Sequence, residues 1–267
     1  MIAQDAKTLA DDFRTALGTD QLSLHYQPVF TLEDSRLAGF EALMRWNHPS
    51  HGMIPPSTFI PVAEQSGLIV EASRWAVRES CRALDRMGRR AGFKDELFMS
   101  VNFSAKDFAE ENFLDQLYTI ISETDTDPRL LHLEITERLL LDDPLNAINS
   151  LKLCRSAGLV IAVDDFGLGA QASAAYLSQY PLDELKIDQA FIRALPENEM
   201  AYDFVKTTIA LANELGLKTI AEGVETETER ALLVGLGCSE AQGYLFARPQ
   251  PEKECVPNIP HWRRGKY

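Results

Sequence analysis

Short apolar stretches of this chain repeatedly carry one side chain able to bind a cation or move a proton. Glu41 stands in Phe40-Glu-Ala-Leu43, Asn102 in Ser100-Val-Asn102, and Glu134 in Leu133-Glu-Ile-Thr-Glu137. Asp164 and Asp165 precede Phe166-Gly167, Lys186 lies between Leu185 and Ile187, and Glu222 falls in Ile220-Ala-Glu-Gly223. Singly, an acid at the end of an apolar run is ordinarily a solvated group, and Asp-Asp before a glycine is ordinary turn chemistry. The joint pattern, one polar group on each of several apolar runs, is what points to a site. Carboxylates gathered away from water raise one another's pKa, so such a cluster is either wet or holds cations. Oxygen donors with one amide, and no thiolate or imidazole, suit Mg2+ or Mn2+ rather than Zn2+. Two such ions polarise a phosphodiester, generate hydroxide and stabilise the leaving oxygen. A turn at Gly167 would let Asp164 and Asp165 share that pair of ions. Lys186, on the same strand face as Asp188, either points inward to hold a water or a phosphate oxygen, or snorkels at a rim.

These residues need a framework that brings them together. Strand-like runs are expected at Leu22–Phe30, Leu37–Trp46, Leu97–Ser104, Leu130–Thr136, Val160–Asp165, Glu184–Asp188, Thr219–Val224 and Ala241–Phe246. Between them lie helical patterns with apolar residues three and four apart, such as Phe204, Val205, Ile209, Ala212 and Leu215. Gly158, Gly216 and Gly237 follow helical patterns as left-handed caps would. Alternating strands and helices signal a parallel sheet or barrel, and 267 residues suit one (β/α)8 barrel of roughly 250 residues. In a barrel the carboxyl-terminal strand ends form one mouth, where the polar residues would converge. A helix over Ala6–Leu17 leads in outside the barrel, Gly52–Pro61 reads as a loop entering a helix at Ser57, and 251–267 reads as a tail that is either peripheral or partly disordered. The expected division is therefore a lead-in over 1–20, a barrel over 21–250 and a tail over 251–267.

Composition narrows the function. A formal charge of -14 opposes duplex DNA or RNA as a partner, while a small anion held through metal ions remains compatible. Cys81, Cys154, Cys238 and Cys255 are scattered without a CxxC pair, as expected of reduced thiols in the cytoplasm. The five histidines form no HxxxH ligand pair, which disfavours a zinc hydrolase. No apolar run is long enough for a membrane span, so the expectation is a cytoplasmic domain, whether free or the cytosolic module of a membrane-anchored protein.

The same residues resemble the EAL family. Glu41-Ala-Leu-Met-Arg-Trp46 is similar to its naming motif. Ser100-Val-Asn-Phe-Ser104, Leu133-Glu-Ile-Thr-Glu137, Asp164-Asp-Phe-Gly167, Leu185-Lys-Ile-Asp188, Ala221-Glu-Gly-Val-Glu225 and Gln242-Gly-Tyr-Leu-Phe-Ala-Arg-Pro249 follow in family order, across about residues 20–250. The resemblance implies a modified TIM (β/α)8 barrel with one antiparallel strand, the first. It implies a cyclic di-GMP phosphodiesterase that yields linear 5'-pGpG with two Mg2+ or Mn2+ ions. Glu41, Asn102, Glu134 and Asp164 would hold one ion, and Asp164 and Asp165 the second, with Glu222 nearby. Lys186 and Glu222 would position or deprotonate the water, and Gln27, Arg45 and Gln242 would contact the nucleotide. Glu137 and Glu225 would support the site. A homodimer and flanking sensor or GGDEF domains in a longer protein are further implications. The alternatives are a catalytically weak cyclic di-GMP receptor and a signalling scaffold. One departure stands out: where the family usually continues with Thr or Ala, Gly, Tyr, Ser, Ser, this chain reads Leu168-Gly-Ala-Gln-Ala172. Lost hydroxyls beside metal ligands would weaken the hold on the ions.

Overall fold

The chain is described by a computed structural model covering residues 3–93, 96–142, 144–167, 174–265 and 267. Among the described residues there are nine strands: β1 (Leu22–Thr31), β2 (Leu37–His48), β3 (Gly52–Ile54), β4 (Phe98–Phe103), β5 (Leu131–Thr136), β6 (Val160–Phe166), β7 (Glu184–Ile187), β8 (Lys218–Ala221) and β9 (Glu240–Ala241). Their order, β1-β9-β8-β7-β6-β5-β4-β2-β3, is closed by pairing of β1 with β2. Eight strands therefore make a barrel, and β3 lies outside it as an antiparallel partner of the far end of β2. β1 is antiparallel to both of its neighbours, and the other barrel pairs are parallel. This is the modified TIM barrel that the family resemblance implied.

The helices form because their apolar faces meet the outside of this barrel. Glu199–Leu215 buries Val205, Ile209 and Ala212 and ends at Gly216, whose φ of 70° lets its N–H turn back to the Ala212 and Asn213 carbonyls. The long helix Ile69–Ala91 buries Ala72, Ala76, Val77, Cys81, Leu84 and Met87 along one stripe. The largest apolar cluster lies between these helices and the strands. Inside the barrel the apolar filling is small. Val29, Phe98 and Ile220, from three strands that are not neighbours, pack together with Ala38 against them. The Phe98 ring occupies the space over Gly39, where a Cβ would lie 2.4 Å from Phe98 Cγ.

Several expectations are corrected. The helix after the Pro-rich segment starts at Pro56, not Ser57, because Pro56 has its φ set for the first turn and the Pro55 carbonyl receives Thr58 and Phe59 N–H. Gly52–Ile54 is a strand rather than loop. The last strand is only Glu240–Ala241, since the chain turns at Gly243, where Leu245 N–H bonds to Val224 O. The tail is ordered: Glu252–Cys255 and Ile259–Trp262 are short helices, and Cys255, Ile259 and Trp262 are buried. Aromatic contacts fix it, with Trp262 edge-on to Phe30 and Tyr267 edge-on to Phe246. The lead-in helix Ala3–Ala16 packs outside the barrel as expected, with Phe13 against Trp46 and Phe59. Among the described residues no helix is long and apolar enough to cross a membrane.

Candidate active site

Alternation along the strands turns Glu41, Asn102, Glu134, Asp164 and Lys186 toward the barrel axis at one mouth. Register aligns them: Asn102 pairs with Glu134 across β4 and β5, and Thr136 with Asp164 across β5 and β6. Gln27, on the reversed strand, reaches the same level by pairing with Glu41. The parallel strands deliver their later residues to this mouth, whereas β1 delivers a residue from its middle.

Lys186 is the centre. It is 1% exposed and its Nζ lies 2.8 Å from Glu134, 2.8 Å from Glu222, 3.2 Å from Asp164 and 3.5 Å from Glu41. Burial alone would discharge this lysine, but the surrounding carboxylates hold its pKa well above the ordinary value. The inward alternative of the sequence reading is therefore the observed one. Gln242 donates to Glu41 Oε2 at 2.6 Å and to Glu222 Oε1 at 3.0 Å, and Asn102 donates to Glu41 Oε1 at 3.0 Å. Its placement follows from the turn at Gly243, where a Cβ would lie 2.1 Å from Val224 O.

Asp164 and Asp165 face the site together, but not only through Gly167. Asp165 itself takes a left-handed φ of 55°, and the β6–β7 register shifts between Val163 and Phe166. This break reverses the alternation that would have sent Asp165 outward. Carboxylate oxygens of Asp164, Asp165 and Glu222 lie within 4.8 Å of one another, a spacing that one cation could bridge. Burial, then the neighbouring acids, push the Asp165 carboxyl up to about 6. Burial pushes Glu222 up to about 8, against the opposing pull of Lys186, with Asp164 and Glu41 adding to the rise. Glu134 is raised well above the ordinary range by burial and by Glu41. Glu41 is lowered: burial opposes this, and Lys186, Gln242 and Asn102 outweigh it.

The donor set fits hard divalent cations. Glu41, Glu134, Asp164 and Glu222 surround one ammonium, and a fifth carboxylate, Asp165, lies beside Asp164 and Glu222. If all five are ionised, four negative charges remain uncompensated, which two divalent ions would neutralise.

Two cavities open beside the cluster. One of about 290 Å3 is lined by Gln27, Arg45, Glu222, Gln242 and Tyr244. The other, about 320 Å3 and more apolar, is lined by Met44, Ile60, Ile69 and Phe103, and both include Glu41 and Arg45. Arg45 is only partly buried, and its Nη1 bonds to the Met44 carbonyl at 2.9 Å. Glu225 does not join the cluster: it is 41% exposed and pairs with Arg193 at 2.7 Å on the cavity rim. Glu137 is buried and receives Gly167 N–H at 3.4 Å, tying it to the end of β6. The departure at Leu168–Ala172 lies outside the described residues. Sequence reasoning gave no role to Tyr244, which lines the cavity beneath the Arg248 guanidinium, 3.9 Å from its ring centroid. An aromatic beside Gly243 in a motif was the available signal.

Comparison with known proteins bears on this geometry. A sequence model described as the EAL domain matches residues 10–249. The bifunctional diguanylate cyclase/cyclic di-GMP phosphodiesterase MucR of Pseudomonas aeruginosa is 38% identical over 257 residues, covering 96% of this chain and 37% of MucR. The cyclic di-GMP phosphodiesterase NbdA of the same organism is 38% identical over 243 residues, covering 91% of this chain and 31% of NbdA. The chain thus spans about a third of the length of these relatives. The solved PaMucR phosphodiesterase in complex with c-di-GMP superimposes with a TM-score of 0.87 at 38% identity, covering 93% of this chain and 99% of that one.

Proposed function

Because this chain belongs to the EAL domain family, we propose that it is a metal-dependent phosphodiesterase that hydrolyses cyclic di-GMP to linear 5'-pGpG. The carrying observation is the convergence of Asp164, Asp165 and Glu222 oxygens within 4.8 Å at a barrel mouth that also holds a buried Lys186. The names of MucR and NbdA, and the cyclic di-GMP in the PaMucR complex, supply the substrate.

Glu41, Asn102, Glu134 and Asp164 would hold one Mg2+ or Mn2+, and Asp164 and Asp165 the other, with Glu222 close by. Bound there, the ions lower the pKa of water and offset charge on the phosphodiester. Lys186 keeps its proton among four carboxylates, so it orients the attacking water rather than deprotonating it. Glu222 is the base: beside Lys186 and the Asp164 and Asp165 oxygens, and ionised once cations are bound, it takes the water proton as the oxygen bonds to phosphorus. The bond from phosphorus to the 3'-oxygen breaks, and that oxygen takes a proton from solvent water and leaves as a hydroxyl. Arg45 meets a phosphate by charge and fork geometry, while Gln27 and Gln242 line the nucleotide's cavity. Glu137 steadies the end of β6, and Glu225 holds the rim through Arg193.

The test is incubation with cyclic di-GMP and Mg2+, with chromatographic identification of the product. A parallel sample with Ca2+ reads binding. Linear pGpG in Mg2+ supports the proposal; binding without cleavage in either metal replaces it with the receptor reading, and neither binding nor cleavage with the scaffold.

A further inference from the structure

Beneath the site, the barrel holds a second polar layer on the same strands. Two residues before Glu134 on β5 stands His132, and two residues before Lys186 on β7 stands Glu184. Both are buried, at 4% and 1% exposure. His132 Nδ1 and Glu184 Oε2 are 2.9 Å apart, while Lys186 Nζ and Glu134 Oε2 above them are 2.8 Å apart. Each pair crosses from β5 to β7 over β6. The register shows why they stack: Glu134 and Glu184 both align with Ala162 of β6. The upper pair joins this row to Lys186, two residues further along β7, and the lower pair joins it to His132, two residues earlier on β5, the stagger of tilted barrel strands. Ala162, 0% exposed and small, leaves room for side chains to meet across it.

The lower pair is itself held firmly. The His132 imidazole stacks on the Phe98 ring with centroids 4.0 Å apart and planes within 10°. Phe98 in turn sits over Gly39, two residues before Glu41 on β2. A shift of His132 would therefore be passed to the strands of Glu134, Lys186 and Glu41.

We infer that His132 and Glu184 are a positioning pair, which fixes β5 against β7 one layer below the site and so sets the Glu134–Lys186 contact on which hydrolysis depends. Neither residue reaches the substrate. The inference rests on the proposed hydrolysis for its kinetic readout, but not for its geometry.

The experiment compares His132→Leu/Glu184→Leu, which removes the pair without leaving an unpaired buried charge, with His132→Asn, whose amide N–H stands where Nδ1 stands and can still donate to Glu184. Cyclic di-GMP hydrolysis and the Mg2+-induced rise in melting temperature are read for each. The double variant should fold, lose about 10-fold in kcat with little change in KM, and need more Mg2+ for the same thermal rise, as loss of outer partners of metal ligands does. His132→Asn should stay within about twofold of wild type, by the retained hydrogen bond. Wild-type kcat and Mg2+ response in the double variant would overturn the inference. So would equal losses in both variants, or, where the double variant does not fold, a folded His132→Asn whose kcat falls about 10-fold. If wild type cleaves nothing, the functional proposal fails separately, and the Mg2+ thermal response alone decides the positioning role.

Discussion

The acid cluster makes a quantitative demand on how pH and metal act on stability. Glu222 moves from an ordinary 4.5 to about 8 in the folded chain, chiefly by burial. Between about pH 5 and 8 the folded protein without metal therefore keeps a proton that the unfolded chain has lost. Since the folded state binds more protons, its stability is fully present below the unfolded value and falls as pH rises, by about 1.4 kcal/mol per unit. Over roughly three units this is on the order of 4 kcal/mol from Glu222. Asp165, raised to about 6, acts in the same direction but is only half buried and adds less. At about 2 °C per kcal/mol, the melting temperature in chelator should drop by roughly 8 °C from about pH 5 to about pH 8. Saturating Mg2+ should abolish most of that drop, because bound carboxylates have already given up their protons, and near neutral pH its binding should release protons into an unbuffered solution. Thermal denaturation across that window, with chelator and with Mg2+, checks the reasoning. A melting temperature in chelator that is flat or rises with pH, or a Mg2+ effect of the same size at every pH, would refute it.

Other perturbations act on single contacts. Glu41→Ala should abolish product formation while circular dichroism and cooperative unfolding persist, since Glu41 binds Asn102, Gln242 and Lys186 rather than the apolar core. Lys186→Met should lower kcat by at least about 100-fold with a smaller change in Ca2+-supported binding, measured by calorimetry, if the ammonium orients the water. Gly39→Ala should destabilise by about 1–3 kcal/mol in urea titration, because the new Cβ meets Phe98 Cγ at 2.4 Å and that ring is pinned on His132.

The parts legible in the sequence were those encoded by periodicity and punctuation. Glu134 and Lys186 each lie on a strand-like run bounded by turns, so their inward convergence followed once a barrel was assumed. What stayed hidden depended on the third dimension. A turn at Gly167 accounts for Asp165 only in part, because the decisive feature is its own left-handed φ, which no residue preference for aspartate alone would dictate. Gln242 was set at a strand's interior but is aimed by a turn that only the close approach of Gly243 to Val224 explains. Glu225 lies in a motif yet sits at the rim with Arg193, since sequence adjacency to Glu222 does not fix the side-chain direction after a turn. The tail showed no period because its aromatic anchors, Trp262 and Tyr267, are set by contact with Phe30 and Phe246 rather than by one helix face. His132 and Glu184 were visible as alternate residues below Glu134 and Lys186, but one residue type at a time gave no sign that they meet.

Closure of the barrel carries a consequence for the order in which the protein acquires its chemistry. β1 and β2 form an antiparallel hairpin from neighbouring segments, whereas the seam between β1 and β9 joins Phe30 to Ala241. Loop-closure entropy makes the hairpin an early, local event and the seam a late, long-range one. The bond from Gln242 to Glu41 spans 201 residues and lies just past that seam. During synthesis, then, a chain can hold Glu41, Glu134, Asp164 and Lys186 in formed strands and still lack the amide that ties Glu41 to Glu222. Docking of the last strand therefore completes the network, so partly folded molecules would be inert rather than partly active.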